Sequence, residues 1–482
     1  MILGYNENIM LLTDSYKTSH YKQYPPKTTN VYSYFESRGA PYDICFFGLQ
    51  YILERYLAGV QVTPDKIRQA RDLVNEHMGG DVFNTDGWNY ILHNYQGRLP
   101  VRIKAVPEGT VVSPHNVLMT IENTDPNCYW LTNYLETLLV QAWYPTTVAS
   151  QSRAMKQIIQ RHADVTSEDT NVDFKLHDFG FRGSTSVESA ALGGAAHLLN
   201  FRGTDTIAAL SLLKQYYGAD DVAGFSIPAS EHSTMTAWGQ DRELDAMRNM
   251  LEQYPTGLVA CVSDSFDIYQ ACEKYWGTLL KDRVLARDGI LVVRPDSGDP
   301  PTVVRKVLTI LGKQFGYTVN SKGYKVLNPK VRVIQGDGID IKMLKEILYH
   351  IQVTGQWASE NVAFGSGGGL LQKVDKDTCK FAFKCSSVVV DGEKRDVWKK
   401  PITDSGKDSK RGRLSLIRSD ANFIRRHKDE FITVAEDKKY SGVLIVTDGI
   451  IEYNKRIPKN NDRWLWVITS NRHMPWGREV HI

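Results

Sequence analysis

From about residue 174 to 390 one pattern of apolar and polar positions recurs along the chain. A short run of β-branched or aromatic residues ends in a polar turn carrying glycine, and an amphipathic stretch usually follows. The runs are FKLHDFGFRG from Phe174, NFRGTDT from Asn200, VAGFSIPASEHS from Val222 and LVACVSDSFD from Leu258. They continue with ILVVRPDSG from Ile290, VRVIQGDGID from Val331, NVAFGSGGG from Asn361 and FAFKCSSVVV from Phe381. Intervening segments such as Thr302 to Phe315 space their apolar residues at helical intervals. Strand, loop and helix in alternation predict parallel α/β architecture. Eight strands suffice to close an irregular (β/α)8-like barrel, whose site would lie just past the strand ends, where the polar residues stand. An open doubly wound sheet is the alternative.

The flanks read differently. Before about residue 150 lie β-like stretches (NVYSYFES from Asn30, RIKAVPEGTVV from Arg102) and helical ones around Asp65 to His77 and Trp130 to Ala142. After about 390 the chain turns strand-rich and basic. The expected division is therefore 1–150 as the N-terminal part of a β-rich α+β domain and 151–390 as the α/β barrel. Residues 391–482 would then be a basic, strand-rich part packing with the N-terminal one.

Composition narrows the function classes. The 482 residues are 42% apolar and 23% charged, which suits a folded globular chain. Lys and Arg number 58 against 55 Asp and Glu, a net charge of +3, which gives no support to nucleic acid or a membrane surface as partner. No apolar run approaches the ~18 residues of a membrane span, and the first residues show no secretory signal. The six cysteines form no CxxC pair or zinc-ribbon spacing and read as packed thiols. A cytoplasmic protein is expected.

The strand ends carry the candidate chemistry. Arg294 and Asp296 in RPDSG suit an anionic phosphate and sugar hydroxyls respectively; a helix cap with its ion-pair partner is the structural alternative. Asp205, Asp264 and Asp337 repeat the theme, and a single such Asp is most often a helix cap. Four of them, with Arg182 and Arg294 interleaved, point to a site for sugar and phosphate. His232, after Glu231 and near a candidate orienting Asp, is a potential nucleophile or base. Gly365, Gly367, Gly368 and Gly369 follow a strand without completing a dinucleotide or Walker fingerprint; their amides could cradle a phosphate, or simply make a tight turn. Ten Lys and Arg crowd Lys399 to Lys428, fitting a solvated face, a nucleic-acid patch or, best in context, a polyphosphate site.

Longer stretches carry a resemblance over roughly residues 9 to 425. They are TDSYKTSHYKQYPP at 13–26, VYSYFESR at 31–38, NTDPNCYWLTNYLET at 123–137, KLHDFGFRG at 175–183, NFRGTDT and IPASEHSTMTAWG at 227–239. VSDSFDIYQACEK at 262–274, RPDSG, VIQGDGID at 333–340, AFGSGGGLLQK at 363–373 and KRGRLSL at 410–416 complete the set. In these the chain resembles the nicotinamide phosphoribosyltransferase family, type II phosphoribosyltransferases with an irregular barrel and a β-rich domain. The resemblance implies transfer of phosphoribosyl from 5-phosphoribosyl 1-pyrophosphate to nicotinamide, coupled to ATP and assisted by Mg²⁺, in a homodimer with shared sites. It implies that Tyr16 and Phe179 sandwich the pyridine ring and that Asp205 accepts from the carboxamide. Arg182 and Arg294 would hold phosphate oxygens, Asp296, Gly336 and Asp337 the ribose, and Gly367 and Gly368 the 5′-phosphate. His232 would be phosphorylated, with Asp264 and Glu231 orienting it. Asp14, Arg38, Lys384, Lys399 and Lys407 would line the site or its phosphate entrance. Departures are Lys376 where Arg is common, Phe181 for a Tyr and Ala382 for a Ser. Related nicotinate enzymes, and a non-catalytic binding or signalling protein on the same fold, are the alternatives.

Overall fold

The computed structural model describes residues 7–403, 407–418 and 431–435. These fall into two units. One holds the described residues up to Ser150, Tyr216–Gly218 and the described residues from Asp375 onward; the other holds Gln151–Gln215 and Ala219–Val374.

The first unit is built on a five-stranded antiparallel sheet. Its order is Glu393–Asp396, Phe381–Val390, Thr28–Ser37, Val117–Asn123, Val101–Ala105. The central strand, Thr28–Ser37, is buried over most of its length, as a strand covered on both faces must be. Its polar members are matched in kind. Glu36 takes Arg38 Nε at 3.1 Å and also Lys410 Nζ. On the next strand Glu122 receives both terminal nitrogens of Arg413 at 2.8 Å, and that guanidinium lies 4.4 Å from the Tyr32 ring centroid. Such pairing offsets the cost of taking carboxylates out of water. The expected helix near residues 65 to 77 spans Pro64–Met78, with Thr63 capping the amide of Lys66 and Gly79 in the left-handed region at its end.

One expectation is corrected here. Phe381–Val390, read as the last barrel strand, pairs antiparallel with Thr28–Ser37 in the β-rich sheet, Tyr34 opposite Lys384. A run of β-branched and aromatic residues suits either sheet; its partner is set by contacts far away in sequence. Here these are Phe381 stacked on Phe35 at 5.1 Å and Val388 and Val390 packed on Val31. The unit boundary accordingly follows Val374 and not residue 390.

The second unit carries a parallel sheet ordered Gly203–Thr204, Leu176–Asp178, Val362–Ser366, Val331–Gln335, Asp288–Arg294, Thr256–Val262. Every neighbouring pair is parallel. Residues 225 to 229 close the ring, since Phe225 bridges Gly203 and Ala229 bridges Ala260, both in parallel sense. Seven of the eight expected runs thus form the barrel, one of them only through isolated bridges. Successive side chains alternate between its two faces. Ala260, Val292 and Ile334 cluster with Phe179, Ile227, Ile290 and Ala363 on one face, while Val259, Cys261, Leu291, Val293 and Val333 are fully buried on the other. No described helix is long and apolar enough to cross a membrane.

In the β-rich unit Glu108 is almost completely buried and accepts from Gln50 N at 2.7 Å and the Tyr217 hydroxyl at 2.9 Å. Burial outweighs these bonds and raises its carboxyl from 4.5 to about 7. Between these values the folded chain holds a proton that the unfolded chain has lost. The stabilisation, fully present below the unfolded value, declines as pH rises through the folded one, by about 3 kcal/mol in all. Thermal unfolding of the wild type and Glu108→Gln should therefore converge or cross in midpoint as pH goes from 5 to 8, the variant being less pH-dependent. Midpoint curves that stay parallel would refute the assignment.

Candidate active site

After three of the barrel strands the helix caps come from residues other than Asp264, Asp296 and Asp337. Asp299 accepts from the amide of Thr302 to start Pro300–Phe315, Asp340 caps Ile341–Tyr349, and Asp267 caps Ile268–Gln270. Asp264, Asp296 and Asp337 are thereby released from the capping role, and the structural alternative for them falls away. Part of that alternative stands for Asp296, which does pair with Arg294.

Asp264 is the hub of one half of the site. Its Oδ1 lies 3.0 Å from His232 Nε2, and its Oδ2 accepts from the Asp296 amide at 3.1 Å and the Ser297 hydroxyl at 2.5 Å. Arg294 grips Asp296 through Nη2, at 2.9 and 3.0 Å from the two carboxylate oxygens. His232 Nδ1 stands 4.0 Å from Asp296 Oδ2, and the imidazole remains half exposed. A tautomer with the proton on Nε2 leaves the Nδ1 lone pair available. Glu231 plays a different part from the expected one: its carboxylate takes the Ser233 hydroxyl and it caps the short helix His232–Thr236, so among the described residues Asp264 alone hydrogen-bonds the imidazole.

The other half forms where Leu176–Asp178 and Gly203–Thr204 end. Phe179 lies with its ring centroid 5.3 Å from that of His177 and 5.5 Å from the Arg294 guanidinium carbon. Gly365 makes this ring position available, for a Cβ there would fall 2.0 Å from it; at Gly336 the corresponding distance is 3.1 Å. Asp205 Oδ1 is engaged by His177 Nε2 at 3.0 Å and by the Ser226 hydroxyl at 2.5 Å. Burial pushes the Asp205 carboxyl up, but these two bonds and the charge of Arg294 hold it below the usual range. Asp337 and Arg182 are exposed. Gly367 precedes the single turn Gly368–Leu371, whose first amides have no partner within the helix.

Sequence reasoning passed over His177, Ser226, Ser297 and Asp178. A signal for His177 was present, because it lies two residues before Phe179, on the strand Leu176–Asp178 that leads into it. Ser226 gave none beyond membership of a strand-like run.

The remaining expected residues belong to the β-rich unit. Tyr16 is 56% exposed, its ring edge-on to His20 at 4.9 Å. Asp14 accepts from the Thr137 hydroxyl at 2.8 Å. Arg38 bonds Glu36, while its Nη2 is buried without a partner among the described residues. Burial lowers the Lys384 ammonium below its usual value; its Nζ donates to the Phe383 carbonyl at 2.7 Å. Lys376 reaches Asp377 at 2.6 Å. Lys399 exchanges backbone and side-chain bonds with Ser409, and Lys407 is exposed. Of the basic stretch, Arg425, Arg426 and Lys428 lie outside the described residues, as does most of 391–482.

Comparison with known proteins gives this geometry a context. Residues 174–436 match the model of the nicotinate phosphoribosyltransferase (NAPRTase) family, and residues 8–103 that of the nicotinamide phosphoribosyltransferase N-terminal domain. A nicotinamide phosphoribosyltransferase of Xanthomonas campestris pv. campestris is 53% identical over 93% of this chain and 96% of its own length. Proteins of the same name from Acinetobacter baylyi and Mycoplasma pneumoniae are 33% and 34% identical, over 87% and 84% of the chain and 90% and 95% of their own lengths. A nicotinate-nucleotide pyrophosphorylase from Pyrococcus furiosus shares the fold, with a TM-score of 0.51 at 16% identity over 91% of this chain and 87% of that one. The chain therefore belongs to the nicotinamide phosphoribosyltransferases of the nicotinate phosphoribosyltransferase family.

Proposed function

We propose that this protein transfers the phosphoribosyl group of 5-phosphoribosyl 1-pyrophosphate to nicotinamide, giving nicotinamide mononucleotide and pyrophosphate in NAD salvage. The observation that carries the choice of nicotinamide is the state of Asp205. Both neighbouring donors, His177 and Ser226, bond the same oxygen, Oδ1, and leave Oδ2 to accept from a carboxamide N–H beside the Phe179 ring. A nicotinate carboxylate would bring a like charge to the same point.

Breaking the bond from ribose C1 to pyrophosphate leaves positive charge on the sugar and negative charge on the leaving group. Asp296 and Asp337 suit the former, Arg294 and Arg182 the latter. The amides of Gly367 and Gly368 suit the 5′-phosphate. The pyridine nitrogen attacks without losing a proton, so little acid–base catalysis is required. Among the described residues no set of three His, Cys, Asp or Glu side chains forms a metal cage. The carboxylates of Asp264 and Asp296, which each stand beside His232, fit the manner of Mg²⁺, which binds through one or two carboxylates together with substrate phosphates. Bound there, it would supply charge neutralisation to the pyrophosphate.

ATP coupling enters through His232, with Asp264 fixing the tautomer and Nδ1 taking the phosphoryl group. Arg38, Lys376, Lys384, Lys399, Lys407 and Asp14 make up the phosphate-facing set in this reading, and the exposed Tyr16 completes the aromatic sandwich from the second subunit of a homodimer. A particle of single-chain mass in solution would remove that last part. We place the reaction in the cytoplasm, which agrees with all six cysteines being thiols.

Two substitutions test the assignments. Asp205→Asn should lower kcat/KM for nicotinamide by roughly 10- to 100-fold, the scale of one hydrogen bond to a charged group. It should also bring measurable use of nicotinate, to which the new amide donates. An unchanged ratio of the two efficiencies would place discrimination elsewhere in the pocket. His232→Ala should abolish ATP hydrolysis and any ATP-dependent gain in nicotinamide affinity while slow ATP-independent transfer persists; ATPase activity equal to the wild type would end the phosphohistidine assignment.

A further inference from the structure

The two groups that would meet nicotinamide, Phe179 and Asp205, stand on the ends of different strands. Each follows its strand by one residue, its amide still bonded to the neighbouring strand (Phe179 N to the Ser366 carbonyl at 2.9 Å, Asp205 N to the Asp178 carbonyl at 3.0 Å), but these backbone bonds do not join the Phe179 turn to the Thr204–Thr206 turn through side chains. Something must hold one turn against the other, and Asp178 has the required position and bonds. It is fully buried, the last residue of Leu176–Asp178, and lies between Thr204 on one side and Ser366 on the other.

Its carboxylate bonds to both turns. Oδ1 accepts from the amide of Gly180 at 2.8 Å, on the far side of Phe179, and Oδ2 accepts from the Thr204 hydroxyl at 3.2 Å. That hydroxyl oxygen in turn accepts from the amide of Thr206 at 3.0 Å. The backbone adds a third tie, since the Asp178 carbonyl accepts from the Asp205 amide at 3.0 Å. Phe179 thus lies between Asp178 itself and Gly180, which Asp178 holds, and Asp205 sits between Thr204 and Thr206, joined through the same hydroxyl. The helix Val187–His197 passes directly behind: a Cβ on Gly194 would stand 3.1 Å from Oδ2. Gly194 thereby lets the helix come close to the carboxylate.

A buried carboxyl is costly to maintain, and the barrel strands could have been joined by apolar packing alone. We infer that Asp178 is a positioning residue for the transfer reaction: it sets the spacing between the Phe179 ring and the Asp205 carboxylate and thereby the enzyme's preference for nicotinamide over nicotinate. It touches no substrate and acts through Phe179 and Asp205. The inference rests on the reading of the site given under the proposed function.

The test uses the full chain and steady-state kinetics with both pyridines. Asp178→Ala removes both side-chain bonds. Thr204→Val keeps the shape of the threonine and removes only the hydroxyl that links the two turns. Each should raise KM for nicotinamide by roughly 10- to 100-fold, the penalty for misplacing a binding group by about an ångström, while KM for 5-phosphoribosyl 1-pyrophosphate stays near the wild-type value. The efficiency ratio of nicotinamide to nicotinate should fall, and Asp178→Asn, which keeps an acceptor for Gly180 N, should recover part of it. In an Asp205→Asn background Asp178→Ala should change the ratio no further. If Asp178→Ala does not fold, Thr204→Val and Asp178→Asn carry the test. A purely structural role would lower the unfolding midpoint and leave KM and the ratio unchanged, and that result would overturn the inference. Absence of nicotinamide turnover in the wild type would instead overturn the reading of the whole site, so the two failures are distinct.

Discussion

The parallel sense of every strand in the barrel is the constraint on which the rest depends. Parallel strands in one closed ring must deliver all their C-terminal ends to one rim. That rim gathers Phe179, Asp205, His232, Asp264, Arg294, Asp296, Gly336 and the glycine loop from residue 365, which are spread over nearly two hundred positions of sequence. No single strand supplies the chemistry. Closure by residues 225 to 229 brings Ser226 to Asp205 and carries the chain on to His232, although only two isolated bridges define it.

Within the rim, hydrogen bonds between acidic and basic groups decide which atoms are left for ligands. Asp264 bonds His232 with one oxygen and the Asp296–Ser297 turn with the other, so the imidazole and the RPDSG turn share one anchor. Asp205 is saturated on one oxygen and open on the other. The same economy appears in the β-rich unit, where Glu36 and Glu122 are buried against Lys410, Arg38 and Arg413. At Glu122 burial pushes the carboxyl up, but the Arg413 bonds and charge outweigh it and hold the group below its usual range.

Much of this was legible in the sequence, for reasons that differ by element. The alternation of strand and helix, with polar residues just past each strand, led to seven of the barrel runs and to the rim. Phe381–Val390 misled because a β-branched run says nothing about its partner; Phe35 and Val31, some 350 positions away, decide it. The capping question could not be answered from spacing alone, since Asp296 and Asp299, or Asp337 and Asp340, are both plausible three residues apart. Side-chain geometry separated them. His177 and Ser226 stayed hidden because their role is to bond Asp205, a contact made only when three strand ends converge.

The central claim is that this rim transfers phosphoribosyl to nicotinamide. The most direct measurement is product formation by the wild-type protein supplied with 5-phosphoribosyl 1-pyrophosphate, Mg²⁺ and either nicotinamide or nicotinate, following mononucleotide and pyrophosphate together. The account predicts nicotinamide mononucleotide and pyrophosphate in equal amounts, with kcat/KM for nicotinamide above that for nicotinate by at least ~10²-fold, well within what a site built around one hydrogen bond achieves. Equal or better use of nicotinate, or no pyrophosphate released with either pyridine, would contradict it.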